Sequence, residues 1–151
     1  MNHWLLPATR GLYAITNGPR PDLPVIAAQA LAGGARAALG EQAIIGVSCR
    51  DSLQCAQTAV RAGANYVSFG AFFRSPTKPL APRAPIDLLR QSATLGVPRV
   101  AIGGITPDNG GSLIEAGADY LAVISAVFGA ADVRQAAQRI NDLYSSPFGA
   151  S

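Results

Sequence analysis

Short apolar runs alternate with longer segments of helical periodicity along most of the chain. Runs of this length bounded by Gly, Pro, Asn or Ser are typical of buried strands. The predicted strands are residues 11–16, 43–48, 66–69, 99–102 and 120–124. The predicted helices are residues 24–31, 35–40, 52–63, 85–95, 106–115 and 132–143. Strands that alternate with helices through short turns predict an α/β fold with a parallel sheet.

The most informative turn follows the fourth predicted strand. Gly103 and Gly104 come first, and Thr106 is then placed to cap a helix in which Pro107 is the first residue. Glycines without a Cβ allow close approach of a ligand, and a helix N-terminus attracts anions. The turn is therefore a candidate phosphate cradle. A tight strand-to-helix turn without a ligand is the alternative, and for two glycines alone it is the more common one.

An internal repeat marks two helix-to-strand junctions. Residues 62–67 (AGANYV) match residues 116–121 (AGADYL), and residues 32–36 begin in the same way. After residue 36, however, the chain continues with a helical pattern where the repeat predicts a strand. The sequence thus lacks a strand at the place where its own local pattern requires one.

The length and composition indicate one globular domain. The chain has 151 residues, of which 49% are apolar and 14% charged, which is enough to bury a core and too few for two ordinary domains. We expect an N-terminal arm at residues 1–10, a single domain at residues 11–144 and a tail at residues 145–151.

Charge and cysteine usage exclude several classes of function. The net charge is only +3, and no basic run alternates with aromatic residues, which argues against nucleic acid as a partner. No apolar run is long enough for a membrane span, and no signal peptide is evident, so we expect a cytoplasmic protein without a membrane partner. Cys49, Cys55 and His3 do not form a zinc pattern, so we expect reduced, structural thiols.

Five stretches together resemble thiamine phosphate synthase and its relative, thiazole tautomerase. They are residues 12–16, 44–48, 62–78, 101–109 and 116–125. The resemblance implies a TIM barrel, which has eight βα units and typically about 200 residues or more. Only five strands are predicted here, and the join falls between residues 34 and 40. The expected fold is therefore a TIM-barrel-derived parallel βα repeat truncated to about five strands, with barrel strands two to four missing.

The resemblance also implies an activity and a set of phosphate-binding residues. The family is a transferase of thiamine biosynthesis, which joins hydroxymethylpyrimidine pyrophosphate to a thiazole phosphate and releases pyrophosphate with the help of Mg²⁺. The matching positions for pyrophosphate are Ser48, Ser75, Thr77 and Lys78. Those for the thiazole phosphate are Gly103, Gly104, Ile124 and Ser125. Taken alone, Ser48 fits an ordinary turn serine, Lys78 a solvated loop lysine and Ser125 a helix cap.

The other half of the family's site has no counterpart in this sequence. The family has a Gln-x-Arg-x-Lys motif after its second strand, an Asn-Asp pair after its third and an Asp after its fourth. No stretch here matches the Mg²⁺-binding acids, so we assign no catalytic residue and no metal ligand. We therefore expect binding of small phosphorylated substrates with little or no turnover.

Three further interpretations stay open. Another chain could supply the missing groups and restore synthase activity, or the chain could be a non-catalytic phosphate-binding remnant or a product without a ligand. Thiazole tautomerase ranks lower, because Ala71 stands where that enzyme has a histidine.

The resemblance also predicts the strand order and a partner. In a closed barrel the first strand lies beside the last, so we expect the order 5-6-7-8-1 in barrel numbering. A truncated sheet has open edges, which invite pairing with another chain. We therefore expect a homodimer or an aggregation-prone protein.

Overall fold

One parallel sheet carries the part of the chain that this computed structural model describes, namely residues 11–14, 35, 39–74 and 82–145. Its strands are β1 (Gly11–Ala14), β2 (Ile44–Arg50), β3 (Tyr66–Phe69), β4 (Arg99–Ile102) and β5 (Tyr120–Ala122). The helices are α1 (Leu53–Arg61), α2 (Asp87–Gln91), α3 (Gly110–Glu115), α4 (Ser125–Phe128) and α5 (Val133–Asp142). A 3₁₀ turn, Ser92–Leu95, continues α2. The fold is α/β, as predicted.

The order of the strands follows the chain, β1-β2-β3-β4-β5, and every pairing is parallel. Gly11 pairs with Ile44 and Ala14 with Val47, so β1 lies beside β2. The prediction that the first strand lies beside the last is wrong. Strands that follow one another in sequence usually pair, and with three units missing, β2 is the next strand available to β1. Within the described residues, β1 and β5 are therefore the edges of the sheet.

Alternate residues of the central strands build the core against α1. Ile45, Val47 and Cys49 are buried on one face of β2 and belong to the same apolar cluster as Cys55 of α1. The two cysteines are free thiols and have no solvent exposure. Both thiols therefore pack within the apolar core.

Local capping explains where several elements begin and end. Ser52 Oγ accepts a hydrogen bond from the Cys55 amide at 3.0 Å, and Asp132 Oδ1 accepts one from the Gln135 amide at 2.9 Å. Gly96 ends the 3₁₀ turn with a left-handed φ of 71°, a conformation that favours glycine. These caps confirm the predicted starts of α1 and α5 and the end of the segment before β4.

Among the residues described, the structure contains no helix that is long and apolar enough to cross a membrane.

Candidate functional site

The turns that follow β2, β3, β4 and β5 all lie at one edge of the sheet, because the strands are parallel. In α/β proteins this carboxyl edge is where ligands bind. The segment after β3 runs alongside the end of β4: the Phe72 amide donates to the Ile102 carbonyl at 3.1 Å and the Phe73 amide to the Gly103 carbonyl at 3.0 Å. The glycine turn is thus attached on one side to its neighbouring loop.

Both glycines of the turn are required by this packing. Gly103 and Gly104 have φ values of 96° and 64°, which side chains other than glycine rarely adopt. A Cβ on Gly103 would overlap Ala71, and a Cβ on Gly104 would lie 2.7 Å from the Phe73 carbonyl oxygen. Contact with the β3 loop therefore accounts for the glycines without a ligand.

The helix after this turn begins later than the sequence suggests. α3 starts at Gly110 with Asn109 at the N-cap position, so the prediction that Thr106 caps it is wrong. The Asn109 side chain accepts a hydrogen bond from the Thr106 amide at 2.8 Å and donates one to the Gly104 carbonyl at 3.0 Å. The asparagine side chain thus satisfies an N–H and a C=O of the turn together.

The end of β5 leads at once into α4. Ile124 occupies the N-cap position and Ser125 is the first residue of α4, so Ser125 does not cap this helix. The amides of Val127 and Phe128 donate to the Ile124 carbonyl at 3.1 and 2.8 Å. The amides of Ser125 and Ala126 precede these, at a point where helices leave N–H groups without an intrahelical acceptor.

A cleft of about 340 Å³ brings these two turns together. Thr106 and Pro107 line it from the turn after β4, Ala126 from α4 and Arg139 from α5. Arg139 Nη2 lies 3.6 Å from the carboxylate of Asp108, and both side chains are more than half exposed. Gly103, Gly104, Ile124 and Ser125 do not line this cleft. Their turns are neighbours at the carboxyl edge because β4 and β5 pair in parallel up to Ile102 and Ala122.

The pyrophosphate half of the predicted site is placed only in part. Ser48 lies inside β2, is 6% exposed and pairs with the buried Ser68 of β3. Ser75, Thr77 and Lys78 lie outside the described residues.

Two residues at this edge were missed by sequence reasoning. Asn109 holds the glycine turn, and Arg50 ends β2 at a register shift with a left-handed φ of 54°. Bulges of this kind often re-aim a side chain beside a functional site. The Asn at the end of the 103–109 stretch was a usable signal, whereas no local pattern predicts the conformation of Arg50.

A Mg²⁺ site requires several oxygen ligands close together. In that part of the chain no three His, Cys, Asp or Glu side chains lie together in a group that could hold a metal ion. The described residues therefore do not fit the Mg²⁺ that the resemblance implies, and we derive no step through it.

A sequence model of the family described as thiamine monophosphate synthase matches residues 23–127, which is more than half of the chain. This chain belongs to the thiamine monophosphate synthase family. A thiamine-phosphate synthase of Methylococcus capsulatus is 46% identical over 152 residues, covering 92% of this chain and 66% of the relative. One from Xanthomonas campestris pv. campestris is 57% identical over 104 residues, covering 69% and 50%. The chain thus spans between half and two thirds of these relatives.

Solved structures give the same picture of the fold. Thiamine phosphate pyrophosphorylase from Pyrococcus furiosus superposes with a TM-score of 0.68 and 31% identity, covering 93% of this chain and 61% of that one. A 3-hexulose-6-phosphate synthase superposes with a TM-score of 0.59 at 20% identity, which shows the fold alone. The fold is derived from the TIM barrel, as the resemblance implies.

Proposed function

We propose that this chain acts in thiamine biosynthesis as a cytoplasmic protein that binds the thiazole phosphate substrate of thiamine phosphate synthase. The observation that carries the proposal is the parallel pairing of β4 with β5 up to Ile102 and Ala122, since the Gly103-Gly104 turn and the start of α4 follow these neighbouring strand ends. In the proposed complex, backbone amides of the glycine turn and of Ile124 and Ser125, with the Ser125 hydroxyl, donate to one phosphate. Amide dipoles of this kind bind anions without a metal ion.

The condensation itself requires more than this site. The bond between the pyrimidine methylene carbon and the pyrophosphate oxygen breaks, and the thiazole nitrogen forms a new bond to that carbon. The departing pyrophosphate takes up negative charge, which positioned cations must stabilise. Ser48, Ser75, Thr77 and Lys78 are the residues we propose for this group. Without the family's Arg and Lys motif and its Mg²⁺-binding acids, we expect phosphate binding by the isolated chain and no efficient turnover.

The complete synthase is the second candidate, with another chain supplying the missing groups. It is favoured by the 46–59% identity to thiamine-phosphate synthases. Thiazole tautomerase is less well supported, since Ala71 packs against Gly103 at the position where that enzyme has its histidine.

Binding and turnover measured separately on the purified chain distinguish these functions. By isothermal titration calorimetry we expect thiazole phosphate to bind, more weakly in Ser125→Ala, and pyrophosphate to bind more weakly in Lys78→Ala. Ser112→Ala is the matched control, because its hydroxyl donates to the Asn109 carbonyl at 2.8 Å within α3. Synthase turnover with both substrates and Mg²⁺ should be far below that of a complete relative. Equal turnover would favour the complete enzyme, and absence of binding would refute the proposed function.

We also propose that the chain pairs with a second copy of itself. Among the strands that the structure describes, β5 lies at an edge, and Tyr120, Ile124 and Phe128 at and beyond it are 41%, 79% and 74% exposed. A second copy offers β1, the opposite edge of the same parallel sheet. In a closed barrel, the first and last strands of one chain pair with each other. Pairing of β5 with β1 of a second copy would form the same contact between two chains.

A further inference from the structure

The side chain of Asn109 has a role that helix capping does not explain. An asparagine at an N-cap normally accepts a hydrogen bond from an amide two or three residues later. Asn109 makes no such bond to α3. Instead its side chain faces back along the chain, accepting from the Thr106 amide at 2.8 Å and donating to the Gly104 carbonyl at 3.0 Å.

These two bonds fix the peptide groups of the turn. The Gly104 carbonyl and the Ile105 amide belong to one planar peptide group, so the bond to Asn109 also sets the direction of the Ile105 N–H. In a trans peptide that N–H points away from the carbonyl, and hence away from Asn109. The Thr106 amide, by contrast, is already engaged by the Asn109 Oδ1.

The turn is anchored at its other points as well. The Gly103 carbonyl accepts from the Phe73 amide, the Ile105 side chain is 4% exposed, and the Thr106 carbonyl accepts from the Gly110 amide at 3.0 Å. Two peptide groups depend on the Asn109 side chain for their orientation: the one between Ile105 and Thr106, through the Thr106 amide, and the one between Gly104 and Ile105, through the Gly104 carbonyl. Both peptide groups lie in the turn to which phosphate binding is assigned.

We infer that Asn109 is the positioning residue of the phosphate-binding turn. The inference rests on the proposed function and deepens it: Asn109 does not touch the phosphate but orients the backbone amide of Ile105 toward it. Preorganised donors of this kind bind an anion without first rearranging. Without the side chain, the two peptide groups can rotate, and part of the binding energy is lost to ordering them.

Three variants test this role. Asn109→Ala removes both bonds, Asn109→Asp keeps the acceptor for Thr106 but loses the donor to Gly104, and Ser112→Ala serves as a control at the start of the same helix. The first readout is amide hydrogen exchange at Thr106 and Ile105, measured by NMR without any ligand. The second is the dissociation constant for thiazole phosphate from calorimetry, at a temperature where all variants are folded by circular dichroism.

We expect Thr106 exchange to become faster in Asn109→Ala and to stay near wild type in Asn109→Asp. Phosphate affinity should fall about tenfold in both variants, since one hydrogen bond of this kind contributes about a factor of ten. Unchanged exchange at Thr106 in Asn109→Ala would overturn the inference whatever the ligand does. If the wild-type chain binds thiazole phosphate and both Asn109 variants bind it with the same affinity, the inference is overturned as well. If the wild-type chain does not bind, the proposed function fails, and the positioning role fails with it.

Discussion

Asp119 and Arg99 are joined by hydrogen bonds in both directions at the point where β4 and β5 begin. The Asp119 carboxylate accepts from the Arg99 backbone amide at 2.8 Å and from Arg99 Nε at 3.1 Å. The Asp119 amide in turn donates to the Arg99 carbonyl at 2.9 Å. The guanidinium also donates to the Leu89 carbonyl at 3.0 Å, which ties α2 to the same place.

The same arrangement occurs two units earlier in the chain. Asn65 Oδ1 accepts from the Ile45 amide at 2.8 Å, and the Asn65 amide donates to the Ile45 carbonyl at 2.8 Å. Asn65 and Asp119 are the equivalent residues of the AGANYV and AGADYL repeats. The repeat therefore has a physical cause beyond a shared turn: in both units a short polar side chain sets the register between two neighbouring strands.

Two replacements of Asp119 should distinguish the stabilising contribution of its hydrogen bond to the Arg99 backbone amide from that of its ion pair with the Arg99 side chain. Asp119→Asn keeps an acceptor for the Arg99 amide, as Asn65 does for Ile45, and should cost less than about 0.5 kcal/mol, because partly exposed ion pairs contribute little. Asp119→Ala leaves that amide without its partner and should cost about 1–2 kcal/mol. The free energy of unfolding from urea titration measures both. Asp108→Ala, which breaks the exposed pair with Arg139, is the control and should change little. Equal costs for Asp119→Asn and Asp119→Ala would contradict this account.

The sequence predicted the local elements better than their arrangement. Apolar runs and caps such as Ser52 and Asp132 act within a few residues, so β2 to β4 and the starts of α1 and α5 were found. The prediction of where β1 lies in the sheet was wrong, because strand order depends on which units are missing and not on residues 11–14 themselves. The role of Asn109 was missed because its partners, Gly104 and Thr106, form a turn whose shape the pattern does not reveal.

Alanine at Gly104 should destabilise the protein more than alanine at Gly96, although the two glycines have similar φ values. Gly104 has a φ of 64°, and its Cβ would meet carbonyl oxygens of the β3 loop. Gly96 has a φ of 71° and no neighbour within 4 Å of that position. Gly96→Ala should therefore lower the free energy of unfolding by the backbone strain alone, about 1 kcal/mol. Gly104→Ala adds a steric clash and should lower it by at least about 2 kcal/mol. Thermal and urea unfolding provide the comparison. If the two variants were equally stable, the proposed contact with residues 73 and 74 would be wrong.

The buried cysteines should differ in acidity. The hydrogen bond with Cys55, together with burial, raises the pKa of the Cys49 thiol, and the same hydrogen bond lowers the pKa of Cys55. Cys49 therefore keeps its proton in the folded protein above the ordinary thiol pKa of about 8.5, where the unfolded chain releases it. The stabilising contribution of this group is complete below that pH and declines as the pH rises past it.

Titration of thiolate ultraviolet absorbance checks this assignment. In Cys55→Ala the largest cause of the shift is gone, so the pKa of Cys49 should move back toward its ordinary value. In the folded wild type, both thiols should react slowly with iodoacetamide because neither is exposed, and both should react rapidly in concentrated guanidinium chloride. Rapid labelling of Cys49 in the folded protein at neutral pH would show that the thiol is neither buried nor protonated.

Self-association should depend on the β5 edge rather than on surface apolarity in general. Tyr120 on β5 is 41% exposed and Val133 on α5 is 44% exposed, which makes them a matched pair. A lysine on an edge strand opposes pairing with another strand, because its charge would have to lose water. In sedimentation velocity experiments we expect the wild-type chain to form dimers or larger species. Tyr120→Lys should shift the population toward monomer, and Val133→Lys should leave it unchanged.

The alternatives give different patterns in the same experiment. Association that weakens equally in both variants would indicate a general effect of net charge, and a wild-type chain that stays monomeric at all concentrations would refute pairing of the edges. If β5 of one copy meets β1 of another, a cysteine pair introduced at Ala122 and Leu12 should form a crosslink between chains under oxidising conditions. Within one chain that crosslink is excluded, because three strands separate β1 from β5 in the sheet. Dimeric product on a non-reducing gel would therefore establish which edges meet, and its absence in a chain that still dimerises would place the interface elsewhere.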